Sequence, residues 1–475
     1  MLFAGITDAV VQDYQTCQKR RELLVEHVRK DNREPDRGLI LLFENFEVEN
    51  IKFNFESNFR YFSEIEGESA CVIAISFFEG SCKYSLYVPN CMKYRKLYRG
   101  HFVEPNIENA KKLKFDEISF LGNKEIDHDY LGKYFECSDY ENLLNLISEN
   151  IKLGAKIYTL SPNDRLSYYD SRFAIDRIIN FLPDITKDYI IDITEIVARM
   201  RRKKDSIEVK KISKALELTA CGHAKMARFI YNRWLKEKDK RVKLEKKEGI
   251  KSVNSKWLSE REIQAEGERV FVRGGGEPAY ESVVAGCRDA ETLHYHDNSK
   301  YVEDQVIVDM GARLDGYCSD ITRTYPAFGE FTEKQKELYS ILLGAQECVV
   351  KVARPGFWLT GTKDLAKNLT SFAKSYLNKN GGLDKYMPHS IGHHIGLDIH
   401  DGIFYGQLEV GNVFTIEPGI YGVPYVDEDG FQHYFSARIE DNYLVEEDGV
   451  RCLSDFIPKK PEAICKFMKD GLTLN

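Results

Sequence analysis

The stretch Val306–Tyr325, VIVDMGARLDGYCSDITRTY, sets two carboxylates where a stable fold has to compensate them. VIVD and YCSDITRTY are rich in β-branched and aromatic residues, and the segment between them carries Gly311 and the pair Asp315-Gly316, which predicts a β-hairpin. With the turn centred near Leu314 and Asp315, Asp309 on the first strand faces Asp320 on the second, to within a residue or two of register. Like charges placed opposite one another destabilise a sheet, and carboxylates in an apolar layer carry a desolvation cost as well. The two acids therefore require positive charge between them, and a metal ion is its simplest source. A solvated hairpin face would serve an arbitrary pair of strand acids equally well. Against it stand three downstream segments rich in ligand-type residues: HSIGHHIGLDIHD at 389–401, FTIEPGIY at 414–421 and SARIEDNYLV at 436–445. One histidine and two glutamates from these, added to the two aspartates, make a ligand complement for two metal ions.

A chain of 475 residues exceeds one ordinary core and predicts two domains, here 1–190 and 195–475. In the first, a helix around 14–28, strands at 38–43, 71–78 and 83–89, a helix at 141–151 and a strand at 155–160 describe an α/β unit. No Gly-rich phosphate loop follows any of these strands, so this half shows no nucleotide site. The second domain opens on a long helix beginning near 200–230, and the highly charged run at 236–256 predicts a solvated or partly disordered insertion. VRGGGEPAY at 272–280 reads as a tight loop beside the cleft, and Thr332 with Gln335 forms a capping box that opens another helix. A net charge of −8 gives no basic footprint for nucleic acid. With no run of 18 apolar residues and no leader-like N-terminus, the expectation is a cytoplasmic protein without a membrane partner. Eleven cysteines without a CxxC pair fit reduced thiols, and Cys318, two residues before Asp320, reads as a packed thiol.

His389 and His393 are four apart, but the glutamate of HExxH is missing and Gly392 and Gly396 oppose a helix. A glycine-flanked strand or loop presents alternate residues instead, so His393 can enter a metal site while His389, His394 and His400 point elsewhere. Arg438 and Glu440, two apart, share one strand face.

The order Asp309, Asp320, His393, Glu417, Glu440, each inside DITRTYPAFGEFT, HSIGHHIGLDIHD, TIEPGIY or ARIEDNYLV or just before them, resembles the Xaa-Pro aminopeptidases (aminopeptidase P) and prolidases of the pita-bread dimetal peptidases. The resemblance covers residues 200–475 well; RRELLVEHV at 20–28 and FESNFRYFSEI at 55–65 are similar to the aminopeptidase P N-terminal domain. It implies an α/β N-terminal domain followed by an α+β pita-bread (creatinase/aminopeptidase-like) catalytic domain. It further implies that Asp309 chelates one metal, His393 and Glu417 the other, and Asp320 and Glu440 bridge both. His294, His389 and His400 correspond to substrate-contacting histidines, Glu417 to a proton shuttle, and Arg438 to the arginine beside the bridging glutamate; His400 or His294 would steady an oxyanion. Oxygen-dominated ligation favours Mn(II), with Co, Fe or Zn as competitors. The implied substrate is a peptide with proline in second position, and a homodimer or tetramer is compatible with the family. A prolidase, a metal-free creatine hydrolase and a metal-poor binding protein are the alternatives, and the last two conflict with the presence of all five ligands. The departures are Val410-Gly411-Asn412 in place of Pro-Gly-Met, a short 401–408 segment, and Gly406 where prolidases carry an arginine.

Overall fold

The apolar run Gly38–Phe43 has no polar residue to turn outward, so its strand has to be covered on both faces. In the computed structural model, which describes residues 13–471 apart from 32–34, 48–52, 99, 101, 127–135, 162–173, 178–179, 183–188, 249–255, 403–405 and 429, this run lies inside a six-stranded sheet. The strands are β1 (Arg37–Phe43), β2 (Val72–Phe78), β3 (Ser81–Val88), β4 (Glu117–Phe120), β5 (Lys156–Thr159) and β6 (Ile190–Asp192), in the order β4-β3-β2-β1-β5-β6. β1 to β3 form an antiparallel meander, while β4, β5 and β6 join in parallel. Leu39, Leu41, Val72 and Ala74 pack with Leu143 and Ile147 of the helix Glu141–Lys152. The chain divides into compact units between Met200 and Arg201. The sequence reading placed the passage at 190–195; β6 pairs with β5 and so keeps that stretch in the first unit.

The second unit, Arg201–Asn475, holds β7 (Glu277–Pro278), β8 (Val283–Gly286), β9 (Gln305–Met310), β10 (Ala312–Leu314), β11 (Tyr317–Cys318), β12 (Ile321–Pro326), β13 (Val413–Ile416), β14 (Gly419–Val426), β15 (Gln432–Arg438), β16 (Asp441–Glu446) and β17 (Gly449–Cys452). They pair as β11-β10-β7, β12-β9-β8, β13-β16-β17 and β14-β15. The hairpin of 306–325 is present, with its turn centred between Asp315 and Gly316, both at positive φ (51° and 85°) as a type I′ turn requires. That is one residue later than the sequence reading, and a shift of one in the turn moves every partner by two. Asp309 therefore faces Thr322, not Asp320. The same count brings Asp320 level with Gly311, which makes the acids diagonal neighbours on one face. A Cβ on Gly311 would lie 1.7 Å from the Ser319 carbonyl oxygen, so the strands approach here as only glycine permits. Cys318 is buried with Sγ 3.5 Å from the Leu397 carbonyl, and burial pushes its thiol up to about 11.

The charged run expected to be a loop from 236 is helical as far as Glu248, the end of a 43-residue helix that starts at Ser206. Lys, Arg and Glu are good helix formers, and Arg241 reaches Glu237 one turn back at 3.3 Å, so charge here solvates a helix instead of melting it. Residues 249–255 of that run lie outside the described ones. Among the described residues, no helix is long and apolar enough to cross a membrane.

Two polar devices hold β12 in place. Arg323, wholly buried, donates to Asp441 Oδ1 (2.7 Å) and to the carbonyls of Glu440 (2.6 Å), Ile457 (3.1 Å) and Pro458 (3.0 Å). On the other side His223, from the long helix, sits 3.1 Å from the Ile321 carbonyl and 2.9 Å from Tyr325 Oη. A carbonyl only accepts, so Nε2 carries the proton and Nδ1 accepts from the tyrosine. Burial, reinforced by the charge of Arg323, lowers this imidazole to about 3. A base whose folded pKa is depressed takes up protons more readily when unfolded, so its contribution to stability is full above the unfolded value near 6.5 and declines as pH falls toward 3. Between pH 6.5 and 5 the loss from this one group is about 2 kcal/mol. His223→Gln, whose amide can donate and accept in the same places, should flatten that part of the curve of stability against pH, read by denaturant unfolding at a series of pH values.

Candidate metal centre

Each acid of the centre is delivered by a strand end and fixed from behind. Asp309 lies on β9, Asp320 at the entry to β12, Glu417 just past β13, Arg438 at the end of β15 and Glu440 before β16. The amide of Asn442 brackets the Asp320 backbone, accepting from its N–H at 3.3 Å and donating to its carbonyl. Gly392 lets the His393 segment lie against β13, for a Cβ there would stand 2.0 Å from the Thr415 carbonyl oxygen. His393 N–H then donates to Thr415 Oγ1 (3.1 Å), and its carbonyl accepts from Thr415 N (2.8 Å). The ring donates through Nδ1 to the His394 carbonyl at 3.1 Å, which leaves Nε2 as a lone-pair donor 3.4 Å from Asp320 Oδ2 and 3.6 Å from Glu417 Oε1. Ligand atoms of Asp320, His393 and Glu440 lie within 4.8 Å of one another.

The remaining hydrogen bonds hold the acids in orientation. Arg438 donates through Nη2 to Asp309 Oδ2 (2.6 Å), through Nη1 to Tyr421 Oη (2.9 Å) and through Nε to Thr322 Oγ1 (3.2 Å). Thr322 in turn donates to Glu440 Oε2 at 2.7 Å, and Tyr421 reaches His389 Nε2 at 2.9 Å. Nδ1 of His389 donates to the Ser390 carbonyl, so both nitrogens of this ring are engaged within the protein. Tyr280 Oη touches Asp309 Oδ1 (2.6 Å) and Asp320 Oδ1 together.

These groups face one cavity of about 550 Å³. All nine residues singled out from the sequence line it: Asp309, Asp320, His393, Glu417, Glu440, Arg438, His294, His389 and His400. His294 and His400 stand at its exposed edge. The rings of His400 and His393 meet edge to face at 4.3 Å. The loop bearing His294 is tied down by Glu260, which accepts from Tyr295 Oη (3.0 Å) and the backbone of Gly286 and Lys300.

Protein groups alone do not neutralise this cluster. Burial, then the neighbouring acids, raises Glu440 well above the usual carboxylate range and Asp320 above it; burial likewise lifts Glu417 to about 7 against the pull of His393 and Arg438. Burial would favour a neutral His393, yet Asp320 and Glu417 drive it up to about 9. Only Asp309, beside Arg438, is held below its ordinary value despite its burial. One phenolic proton on Tyr280 cannot satisfy two carboxylates. Glu440 Oε1 is buried and, among the described residues, has no hydrogen-bond partner. An orphaned carboxylate oxygen beside an imidazole lone pair and three more acids is a donor set that fits divalent cations, whose charge would reverse each of those upward shifts.

Sequence reading missed Tyr280, Tyr421, Thr322 and Asn442. Tyr421, Thr322 and Asn442 lay inside motifs already singled out, Thr322 two residues past Asp320 and hence on its face. Tyr280 follows a glycine loop with no periodicity to show where it points.

The profile of metallopeptidase family M24 matches residues 210–447, half of the chain. The chain belongs to metallopeptidase family M24. Within that setting it is 31% identical to the Xaa-Pro aminopeptidase of Haemophilus influenzae, over 57% of this chain and 62% of that protein. It is 30% identical to the Xaa-Pro aminopeptidase of Escherichia coli, over 58% of this chain and 61% of that one, so in both cases less than two thirds of the relative is matched. Its fold is similar to that of E. coli aminopeptidase P solved with the inhibitor Pro-Leu, with a TM-score of 0.72, 23% identity and coverage of 96% of this chain and 98% of the other. The architecture is thus the M24 one, a pita-bread domain preceded by an α/β region.

Two substitutions test the donor set. Glu440→Ala should cost the protein most of any bound divalent metal, measured by elemental analysis after dialysis, because the cluster loses the carboxylate whose Oε1 has no protein partner among the described residues. Tyr280→Phe removes a donor but no charge, and should retain the metal with an affinity weaker by about 10- to 100-fold.

Proposed function

We propose that this chain is a two-metal Xaa-Pro aminopeptidase, hydrolysing the peptide bond between an N-terminal residue and a following proline. The observation that carries the reading is the convergence of five ligand-type side chains on one cavity, with Glu440 Oε1 buried and, among the described residues, without a hydrogen-bond partner. Asp309 would hold one ion, His393 and Glu417 the other, and Asp320 with Glu440 both. Oxygen-rich ligation favours Mn(II). Such cations supply Lewis acidity toward the scissile carbonyl and make water a nucleophile at neutral pH.

The chain's own residues do the rest. Glu417 takes a proton from the attacking water and delivers it to the proline nitrogen, which leaves as a secondary amine. His400 and His294, at the cavity edge, donate N–H to the oxyanion of the tetrahedral species. Arg438 keeps Asp309 ionised and aligns Tyr421 and His389. Val283, Leu293 and Leu359 supply an apolar wall that suits a pyrrolidine ring without asking for an N–H that proline lacks. Free thiols at the described cysteines suit a reducing compartment, in line with a cytoplasmic enzyme.

One observation favours a second reading. Gly406 lines the cavity, and a Cβ there would lie 2.1 Å from Arg202 Nη1, so a guanidinium from another segment lies against the place where prolidases carry their arginine. If Arg202 binds a free carboxylate, Xaa-Pro dipeptides are preferred. The main reading expects kcat/KM for Xaa-Pro-Yaa and longer peptides to equal or exceed that for the dipeptide under saturating Mn(II), and N-acetylation to abolish turnover. Turnover of the dipeptide alone, lost in Arg202→Met, would establish the prolidase instead. His400→Ala should keep its metal while kcat drops about 10²-fold; loss of metal in that variant would place His400 among the ligands.

A further inference from the structure

His400 is exposed and carries no hydrogen bond of its own among the described residues, yet the proposed chemistry needs its ring at a fixed place beside His393. Its neighbour Asp401 is the opposite case. The Asp401 side chain is 2% exposed, and its Oδ2 accepts from Lys204 Nζ at 2.7 Å while Oδ1 pairs with Arg201. Lys204 is 0% and Arg201 4% exposed, and Arg201 also reaches Asp398 at 2.7 Å. The carboxylate fills the space beside Gly396, where a Cβ would lie 2.2 Å from Asp401 Oδ2.

The backbone closes the same turn. Asp401 N donates to the His394 carbonyl at 2.9 Å, and that carbonyl is the acceptor that fixes the His393 ring. Gly396 N donates to the Asp398 carbonyl, and Lys204 N to that of Gly411. One oxygen thus ties the segment bearing His400 to the tautomer of His393, and two buried cations from 201–204 clamp the residue next to His400.

We propose that Asp401, clamped by Arg201 and Lys204, is a positioning residue that sets His400 against His393 for the oxyanion. The inference rests on the reading of the chain as an Xaa-Pro aminopeptidase for its kinetic arm only. A buried ion triad is costly to assemble and gains nothing over apolar packing unless it fixes a geometry, and displacement of a catalytic donor by about 1 Å can cost 10²-fold in rate. Asp401 touches no substrate in this scheme and acts through its neighbour.

The test uses the full chain and two readouts. In Asp401→Asn, amide exchange of the 394–402 peptide should accelerate at least about tenfold while the rest of the unit keeps its protection. In the Mn(II) enzyme kcat should fall about 10- to 100-fold with KM and metal content held, and Asp401→Asn should add no further loss on a His400→Ala background. Losses that multiply in the double variant, or unchanged exchange of that peptide, overturn the proposal. Should Asp401→Asn fail to fold, Lys204→Met leaves Arg201 paired and must show the same local exchange, and its absence there also overturns it. If the wild type cleaves no Xaa-Pro peptide, the aminopeptidase reading fails, and exchange in the metal-free protein alone decides whether the clamp exists.

Discussion

A buried surplus of negative charge is the condition on which the second unit depends. Four carboxylates converge beside Arg438 and the His393 imidazole, and burial with mutual repulsion displaces Asp320, Glu417 and Glu440 upward. A fold that left such a cluster to itself would protonate it or come apart. Divalent cations would resolve the conflict, their charge standing in for the protons that the acids would otherwise bind.

Holding four acids against their repulsion takes rigid backing. Arg323 and Asp441, both 0% exposed, lie directly behind Glu440 and tie β12 to β16, with Ser454 at 2.7 Å and Lys459 at 3.2 Å completing the shell of Asp441. Removing one partner of such a pair costs about 3–5 kcal/mol. Close backbone approach does the same task at the two places where Asp320 and His393 enter the cavity, through Gly311 and Gly392.

What could be read from the sequence follows from the range of the forces involved. β1, β2, β3 and β5 and the helix Tyr14–Asp31 announced themselves through local apolar patterning, and the five ligand-type residues that line one cavity through the motifs around them. Asp309 and Asp320 were placed on one face correctly because the side-chain period of a strand is two, but their partners were displaced because the turn centre was read one residue early. The run from 236 is helical where its composition points to a loop, because composition reports solvation and not conformation; Lys236, Lys238 and Lys240 are exposed on that helix while Glu237 is buried in it. Tyr280 and the Arg201–Asp401–Lys204 triad were beyond reach, since their partners lie 29 to 200 positions away in the chain.

The type I′ turn at Asp315 and Gly316 also limits how the gene can change in length. Strand faces alternate residue by residue, so adding or deleting one codon within the paired arms, at 312–314 or 317–318, with no change in the turn to absorb it, would turn Asp320 to the opposite side of the sheet from Asp309. Only paired, two-residue changes would keep the acids together. The helix that closes at Glu248 turns by 3.6 residues and carries no such two-residue parity, so the rule belongs to the hairpin alone.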